Sequence, residues 1–165
     1  MQRVVVLGRG GAGKSTAAVE LGRITGLPVV ELDAHFWGPD LASLSVQEWT
    51  RRQRELAAAP RWIMDGDLGP YDAPAARLMR ADTVLILDFG LMRCAWRALR
   101  RSRERADFWW WLLTWRRRAR ATVIHAVAEH APRATVYVVR TPRELRAFLL
   151  AARTAPPPTD AGAVP

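Results

Sequence analysis

Short apolar runs alternate with longer amphipathic stretches along most of the chain. The apolar runs have the length and β-branched content of buried strands at residues 3–7, 28–32, 61–65, 83–88 and 134–139. Apolar positions spaced by three and four predict helices at residues 17–25, 46–59, a short stretch after 72, a long region from 91 to about 130, and 142–152. Strands that alternate with helices in this way predict an α/β fold, with helices on both faces of a parallel sheet.

Boundary signals support several of these helices. Gly26 is placed to cap the first one, and Ser45 with Glu48 forms a capping box that opens the second. Asp72 is predicted to cap the short helix, with Pro74 in its first turn. The helix after Ser45 is predicted to carry Val46, Trp49 and Leu56 on one face.

A glycine-rich loop follows the first predicted strand: Gly8, Arg9, Gly10, Gly11, Ala12, Gly13, Lys14 and Ser15, with Thr16 next. The spacing matches the phosphate-binding loop, whose glycines let backbone N–H groups point at phosphate oxygens at a helix N-terminus. Lys14 is predicted to reach the β- and γ-phosphates, and the Ser15 hydroxyl to bind Mg²⁺. Lys14 is also the one lysine among 25 basic residues. The sequence therefore predicts a nucleoside triphosphate site at residues 8–16.

Aspartates end three of the predicted strands. Asp33, Asp65 and Asp88 follow the second, third and fourth strands, and ligands of parallel sheets bind beyond these carboxyl ends. Asp65 is predicted to hold Mg²⁺, the alternative being a turn or helix-capping role. Asp33 is predicted to orient or deprotonate an acceptor hydroxyl, with capping as the alternative. For Asp88 we expect a structural cap.

Three residues after Asp33 allow two interpretations. His35, Phe36 and Trp37 either form an aromatic wall for a planar substrate or fold onto the edge of the sheet. His125 and His130 lie on a predicted helix without further metal ligands nearby in sequence, so no zinc site is expected.

The net charge of +9 has a local origin. Ten arginines lie between Arg93 and Arg120, against Glu104 and Asp107 as the acidic residues of that segment. One interpretation is a helical lid that closes over nucleotide phosphates. A second is a basic, aromatic surface that binds nucleic acid. A third is a solvated helix pair whose tryptophans pack against the sheet.

Length and composition set the remaining expectations. The 165 residues suit one domain, predicted to span 1–153, followed by a disordered tail at 154–165 that is rich in Pro and Ala. A single cysteine, Cys94, cannot form an internal disulfide. No signal peptide and no apolar run long enough to cross a bilayer are visible, so a cytoplasmic location is expected.

The order of these motifs resembles that of bacterial topology modulation proteins, small P-loop proteins related to adenylate kinase. The resemblance is carried, beyond the phosphate loop, by the sequences at 30–37, 62–66, 81–88 and 93–97. It implies a P-loop NTPase with the three-layer fold of nucleoside monophosphate kinases and a five-stranded sheet in the order 2-3-1-4-5. It also implies an acceptor-side insertion at about 33–60 and an Arg-rich helical lid region at about 91–131.

The resemblance further implies that residues 8–16 bind ATP, that Asp65 belongs to the Mg²⁺ site, and that Arg93 and Arg97 are lid candidates. The chain departs from adenylate kinases after Asp65-Gly66, where no arginine occurs until Arg77. AMP is therefore poorly supported as the acceptor. A nucleoside or another small hydroxyl compound fits the sequence as well as AMP does. The hypothesis is a phosphotransferase that uses ATP, and the alternative is an ATP-binding regulator that associates with nucleic acid through residues 93–120 with little or no turnover.

Overall fold

The computed structural model describes residues 1–36, 44–66, 72–101 and 119–154. Predictions that concern Trp37, the aromatic run at 108–111 and the tail after Thr154 lie outside this range.

A parallel sheet of five strands forms the middle layer. Its strands are β1 Arg3–Gly8, β2 Val29–Glu31, β3 Trp62–Asp65, β4 Thr83–Leu87 and β5 Thr135–Val139. They lie in the order β2-β3-β1-β4-β5, and every neighbouring pair is parallel. The predicted α/β fold and strand order are confirmed.

Helices cover both faces of this sheet. They are α1 Lys14–Thr25, α2 Leu32–Phe36, α3 Val46–Ala57, α4 Ala75–Leu78, α5 Leu91–Arg101, α6 Ala119–His130 and α7 Pro142–Thr154. Alternate residues of β1 point to opposite faces, as a strand requires. Val4 and Val6 pack with α1, α5 and α7, whereas Val5 and Leu7 pack with α2, α3, α4 and α6.

Two boundary predictions hold. The N–H of Gly26, whose φ is 69°, donates to Gly22 O at 2.8 Å. The Ser45 hydroxyl accepts from the Glu48 N–H while the Glu48 carboxylate accepts from the Ser45 N–H. On the face predicted for α3, Trp49 is fully buried and Val46 is 67% exposed, and the polar residue Gln53 is fully buried as well.

The loop predicted after Asp33 is a helix at its start. Leu32 and Phe36 are both buried, and residues four apart share one face of a helix. The Phe36 ring meets Trp49 of α3 edge-on, with centroids 5.3 Å apart. Burial of this apolar pair explains why α2 follows β2 directly, and Phe36 is a core residue rather than part of an aromatic wall.

The cap predicted at Asp72 is also wrong. Helix α4 begins at Ala75 after Pro74, and no side chain caps it. Asp72 instead forms an ion pair with the buried Arg77. The buried Arg77 guanidinium needs a counter-charge, so the Asp72 carboxylate pairs with it and does not cap α4.

The long helical region is described at its two ends, α5 and α6. Trp96 on α5 is 56% exposed, so this tryptophan does not pack against the sheet. None of the helices in the described ranges is long and apolar enough to cross a membrane.

Candidate functional site

The phosphate loop joins β1 to α1 at the carboxyl edge of the sheet. Gly8 ends β1 beside Leu87 of β4, and Gly13 precedes the first helical residue, Lys14. No side chain caps the N-terminus of α1. Its first N–H groups and the positive end of the helix dipole are therefore available to an anion.

Two glycines of the loop lie where a side chain would be obstructed. Gly11 has a φ of +71°, and an added Cβ would lie 2.4 Å from the Cys94 carbonyl oxygen of α5. Gly13 has a φ of +93°, and an added Cβ would lie 3.0 Å from Nη2 of Arg97. The positive φ favours glycine at both positions, and at Gly11 the backbone of α5 also leaves no room for a side chain. The same contacts place α5 against the loop, with the Arg97 guanidinium directly over Gly13.

Lys14 curls over the loop from which it extends. Its Nζ donates to Gly8 O at 2.8 Å and to Arg9 O at 3.5 Å. The Arg9 side chain is buried, and its Nη1 donates to Phe89 O at 3.3 Å. Arg9 was predicted to belong to the phosphate-binding stretch. In the structure its guanidinium donates to the turn between β4 and α5.

Asp65 ends β3 and is 4% exposed. Burial raises the pKa of its carboxyl, and a hydrogen bond with the Ser15 hydroxyl and the charge of Lys14 act in the opposite direction. The predicted pair of Ser15 and Asp65 is therefore assembled. Asp65 Oδ1 is buried and has no hydrogen-bond partner among the described residues.

These oxygens fit a magnesium ion. Mg²⁺ takes oxygen ligands and commonly binds through one or two protein groups, with phosphate oxygens and water completing its shell. The Ser15 hydroxyl and the unpartnered Asp65 Oδ1 supply such groups. In the described ranges no group of three or more His, Cys, Asp or Glu side chains is arranged to hold a metal by itself.

Asp33 lies in the first turn of α2. An added Cβ on Gly66, directly after β3, would lie 3.6 Å from its Oδ1. Partial burial raises the pKa of Asp33, Lys14 lowers it, and the negative charges of Asp72 and Glu31 raise it further. Asp33 and Asp65 thus converge beside Lys14, as the strand topology predicted.

Asp88, the third aspartate of this edge, has a separate partner. Its Oδ2 accepts from Nε of Arg120 at 2.9 Å. Asp88 is 3% exposed and Arg120 lies at the start of α6. The ion pair joins the end of β4 to the helix that follows the arginine-rich segment.

Arg77 is a buried residue that the sequence patterns did not single out. Both of its terminal nitrogens donate to the Asp72 carboxylate, at 2.8 and 2.5 Å. Nη1 also donates to Gln53 Oε1, and Nη2 donates to Gly66 O at 3.3 Å. This guanidinium joins α3 and α4 to the end of β3, next to Asp33 and Asp65.

The arginines of α5 occupy different environments. Arg97 is half-buried over the loop, whereas Arg93 and Arg100 are exposed. The Arg100 guanidinium lies 4.1 Å from the ring centre of Trp96. Of the two lid candidates, Arg97 is the one in contact with the phosphate loop.

Cys94 lies on the buried side of the same helix. Burial raises the pKa of its thiol, and nearby cations that include Arg9 and Lys14 act in the opposite direction.

No protein-family model and no curated protein sequence matches the chain. Among solved structures, it is similar to a shikimate kinase from Acinetobacter baumannii in complex with shikimate (13% identity, TM-score 0.63, covering 94% of this chain and 96% of that one). An unliganded sugar kinase from Janibacter sp. HTCC2649 gives 21% identity and a TM-score of 0.54, covering 92% and 93%. Deoxyadenosine kinase from M. mycoides with bound dATP gives 13% identity and a TM-score of 0.55, covering 93% and 100%. At these identities the similarity establishes the fold, which is that of small P-loop kinases.

Proposed function

We propose that this protein is an ATP-dependent kinase that transfers the γ-phosphate to a hydroxyl group of a small acceptor. The observation that carries the proposal is the convergence of Lys14, Ser15, Asp65 and Asp33 at one edge of the sheet, with Arg97 over the loop. Phosphoryl transfer requires a phosphate cradle, neutralising cations and an oriented acceptor. The fold shared with small kinases supports the same proposal.

On the donor side, the loop N–H groups and Lys14 bind the phosphates of ATP. Ser15 and Asp65 would hold Mg²⁺, which offsets charge on the β- and γ-phosphates when bound. Arg97 stabilises the charge on the transferring group, because its guanidinium already lies over Gly13. Lys14 exchanges its bonds to Gly8 O and Arg9 O for phosphate oxygens.

On the acceptor side, Asp33 orients the attacking hydroxyl and accepts its proton. Its raised pKa makes it a stronger base than an ordinary aspartate. Its position beside Gly66 and Lys14 supports an acceptor site at the carboxyl ends of β2 and β3, where ligands of parallel sheets bind. We also propose that the protein is related to the topology modulation proteins that its sequence resembles, and such a relationship is compatible with this role of Asp33.

Labelled ATP, Mg²⁺ and a panel of sugars and nucleosides test the proposal. We expect transfer of label by the native protein, and a loss of about a hundredfold or more in Lys14→Met. Arg97→Gln and Arg100→Gln form a matched pair on one helix, and only the first is expected to slow transfer. Absence of transfer to every acceptor, or equal losses in the two arginine variants, would contradict the proposed roles.

A second candidate is association with nucleic acid through α5. It is favoured by Trp96, which is 56% exposed and carries the Arg100 guanidinium on its ring, since exposed aromatic and arginine pairs stack on unpaired bases. Binding of single-stranded DNA by the native protein should then weaken steeply with salt. A Trp96→Ala, Arg100→Gln double variant that binds DNA as tightly as the native protein would exclude this surface.

A further inference from the structure

A cleft of about 340 Å³ opens at the edge of the sheet opposite the phosphate loop. Its walls come from three segments of the chain, which are Arg3 at the start of β1, residues 79–82 before β4, and Arg133 before β5. The phosphate loop begins at Gly8, the other end of β1, about 17 Å away at the rise of a parallel strand. The cleft is therefore separate from the proposed donor and acceptor sites.

Backbone hydrogen bonds hold the three segments of this cleft in place. The Asp82 N–H donates to Arg3 O at 3.0 Å, and the Thr135 N–H donates to Asp82 O at 2.9 Å. The turn before β5 is closed by a bond from the Ala134 N–H to Ala131 O at 3.0 Å. The backbone of the cleft is thus fixed by the sheet and by the turn that leads into it.

The lining of the cleft is basic. Three of its six residues are arginines, namely Arg3, Arg80 and Arg133. The carboxylate among them, Asp82, accepts from the backbone N–H groups of Gln2 and Arg3, at 2.8 and 2.9 Å, and from the Thr83 hydroxyl at 2.7 Å. These bonds hold the Asp82 carboxylate against the backbone. The lining therefore carries three positive charges against one negative charge that is already hydrogen-bonded.

The three guanidinium groups keep most of their donors for an outside acceptor. Nε of Arg3 is shielded from solvent and has no hydrogen-bond partner in the described ranges. Arg80 donates one long bond, from Nη2 to Ala58 O at 3.4 Å, and Arg133 pairs with no carboxylate of the described residues. Donors without a protein acceptor require an explanation, and an anionic ligand supplies one.

A phosphate group matches this arrangement. Each guanidinium presents several N–H donors in a planar fork, which suits the oxygens of a phosphate. A phosphate monoester carries about two negative charges at neutral pH, equal to the excess positive charge of the lining. The cleft volume lies at the lower end of the range for small-molecule sites, so it has room for an organic group as well. Met79, which is 62% exposed, gives that group an apolar surface.

We propose that this cleft binds a phosphorylated small molecule, with Arg3, Arg80 and Arg133 on its phosphate and Met79 against its organic part. The proposal does not depend on the kinase function, because the cleft shares no residue with the proposed donor and acceptor sites. A nucleic-acid backbone carries the same charge, but a strand requires a basic groove that follows several nucleotides, whereas these arginines line one small cleft.

Methyl NMR of the full chain, labelled at its methionines, gives a reading from this cleft. Met79 lines it, whereas Met64 is buried on β3 beside Asp65 and reports on the edge of the sheet at the phosphate loop. The probes are inorganic diphosphate and glucose 6-phosphate, with glucose as the uncharged counterpart, at constant ionic strength. We expect both phosphates to shift the Met79 signal until it saturates, and glucose to leave it unchanged.

Arginine variants identify the groups that bind. Arg3→Gln and Arg133→Gln should each weaken the binding that Met79 reports by about tenfold, because each removes a charge-assisted hydrogen bond. Arg61→Gln is the matched control, since Arg61 is exposed directly before β3, at the same edge of the sheet, and does not line the cleft. It removes the same charge and should change the affinity by less than about twofold.

Three outcomes would overturn the proposal. A Met79 signal that responds to neither phosphate, or equally to glucose, would show that the cleft is not a phosphate site. Equal losses in Arg61→Gln and Arg133→Gln would mean that phosphates bind through the general charge of the surface. If a single-stranded oligonucleotide shifted Met79 at lower concentration than either phosphate, and Arg133→Gln weakened that response, the occupant would be a nucleic acid.

Discussion

Asp33 and Asp65 illustrate how the site modifies ordinary carboxylates. Both carboxylates are partly removed from solvent at the edge of the sheet, and Lys14 attracts both. Asp33 is repelled by Asp72 and Glu31, and Asp65 is repelled by Asp33 and Glu31. Removal of solvent and repulsion between anions both favour the protonated form. The pKa of each carboxyl is therefore raised. A raised pKa suits a proposed base at Asp33, and at Asp65 it means that a bound cation would stabilise the ionised carboxylate.

Glu31→Gln tests the electrostatic part of this account. Glu31 raises the pKa of Asp33 by repulsion, so neutralising it should lower that pKa toward the value of an ordinary aspartate. Because the base must be ionised, the acidic limb of the pH profile of kcat/KM should move to lower pH, by less than about one unit. An acidic limb that stays in place or moves to higher pH would show that Asp33 is not the titrating base.

At the scale of elements, one buried ion pair organises the acceptor side. The Arg77 guanidinium holds together Gln53 on α3, Asp72 before α4 and Gly66 after β3. An arginine can do this because its planar fork donates in several fixed directions, which a lysine cannot match. The geometry beside Asp33 thus depends on a residue of α4, outside the phosphate loop.

Arg77→Met should therefore be strongly destabilising. The variant leaves the Asp72 carboxylate without its cation, and loss of one partner of a buried pair costs about 3–5 kcal/mol. Arg77→Lys keeps the charge and should lose less. Urea unfolding of both variants gives the measurement, and Arg80→Met, on a neighbouring exposed residue, is the control. A loss in Arg77→Met no larger than in Arg80→Met would mean that the network does not stabilise the fold.

The junction between the phosphate loop and α5 makes a second prediction at this scale. Gly11→Ala adds a Cβ 2.4 Å from Cys94 O at a φ of +71°. We expect a loss of about 1–3 kcal/mol in stability and weaker nucleotide binding. Gly90→Ala is the matched control, because nothing lies within 4 Å of its added Cβ. Thermal unfolding and calorimetric titration with ATP measure both effects, and equal behaviour of the two variants would refute the close contact.

The helices, the strands and the conformation of the glycine-rich loop could be predicted because their signals are local. The alternation around β1, the loop from Gly8 to Ser15 and the capping box at Ser45 each lie within a few residues, so spacing alone identifies them. Asp33 and Asp65 could be placed at one edge because parallel strands end there. These predictions needed no knowledge of which side chains touch.

Other features depend on contacts between distant segments. Gln53 is buried because its side-chain oxygen accepts a hydrogen bond from Arg77, which lies 24 residues away. Asp72 pairs with the same guanidinium and therefore does not cap α4. Helix α2 forms because Leu32 and Phe36 find a core that includes Trp49. Polar and acidic residues in such settings have no distinguishing pattern along the chain, so the sequence could not predict their partners.

For the molecule as a whole, the carboxylates of the site oppose folding while they are ionised. A group whose pKa is higher in the folded protein than in the unfolded chain favours the native state when protonated, and this contribution is lost as the pH rises through the folded value. Asp65 is such a group, since burial raises its pKa. Glu144 has the opposite sign, because the backbone N–H of Arg140 and the Thr141 hydroxyl lower its pKa.

The two signs predict opposite behaviour in a matched pair of variants. Asp65→Asn should unfold at a higher urea concentration than the native protein at pH 8, and the difference should shrink as the pH falls toward 4, because the native carboxyl then becomes neutral. Glu144→Gln should be the less stable protein at pH 8, and its deficit should disappear only as the pH falls through the lowered pKa of Glu144, below the ordinary value of 4.5, because native Glu144 then loses its charge-assisted bonds. Unfolding curves at several pH values provide the measurement. Destabilisation by Asp65→Asn at pH 8 would mean that the hydrogen bond with Ser15 outweighs burial of the charge, and that the donor site stabilises the fold even without a bound ion.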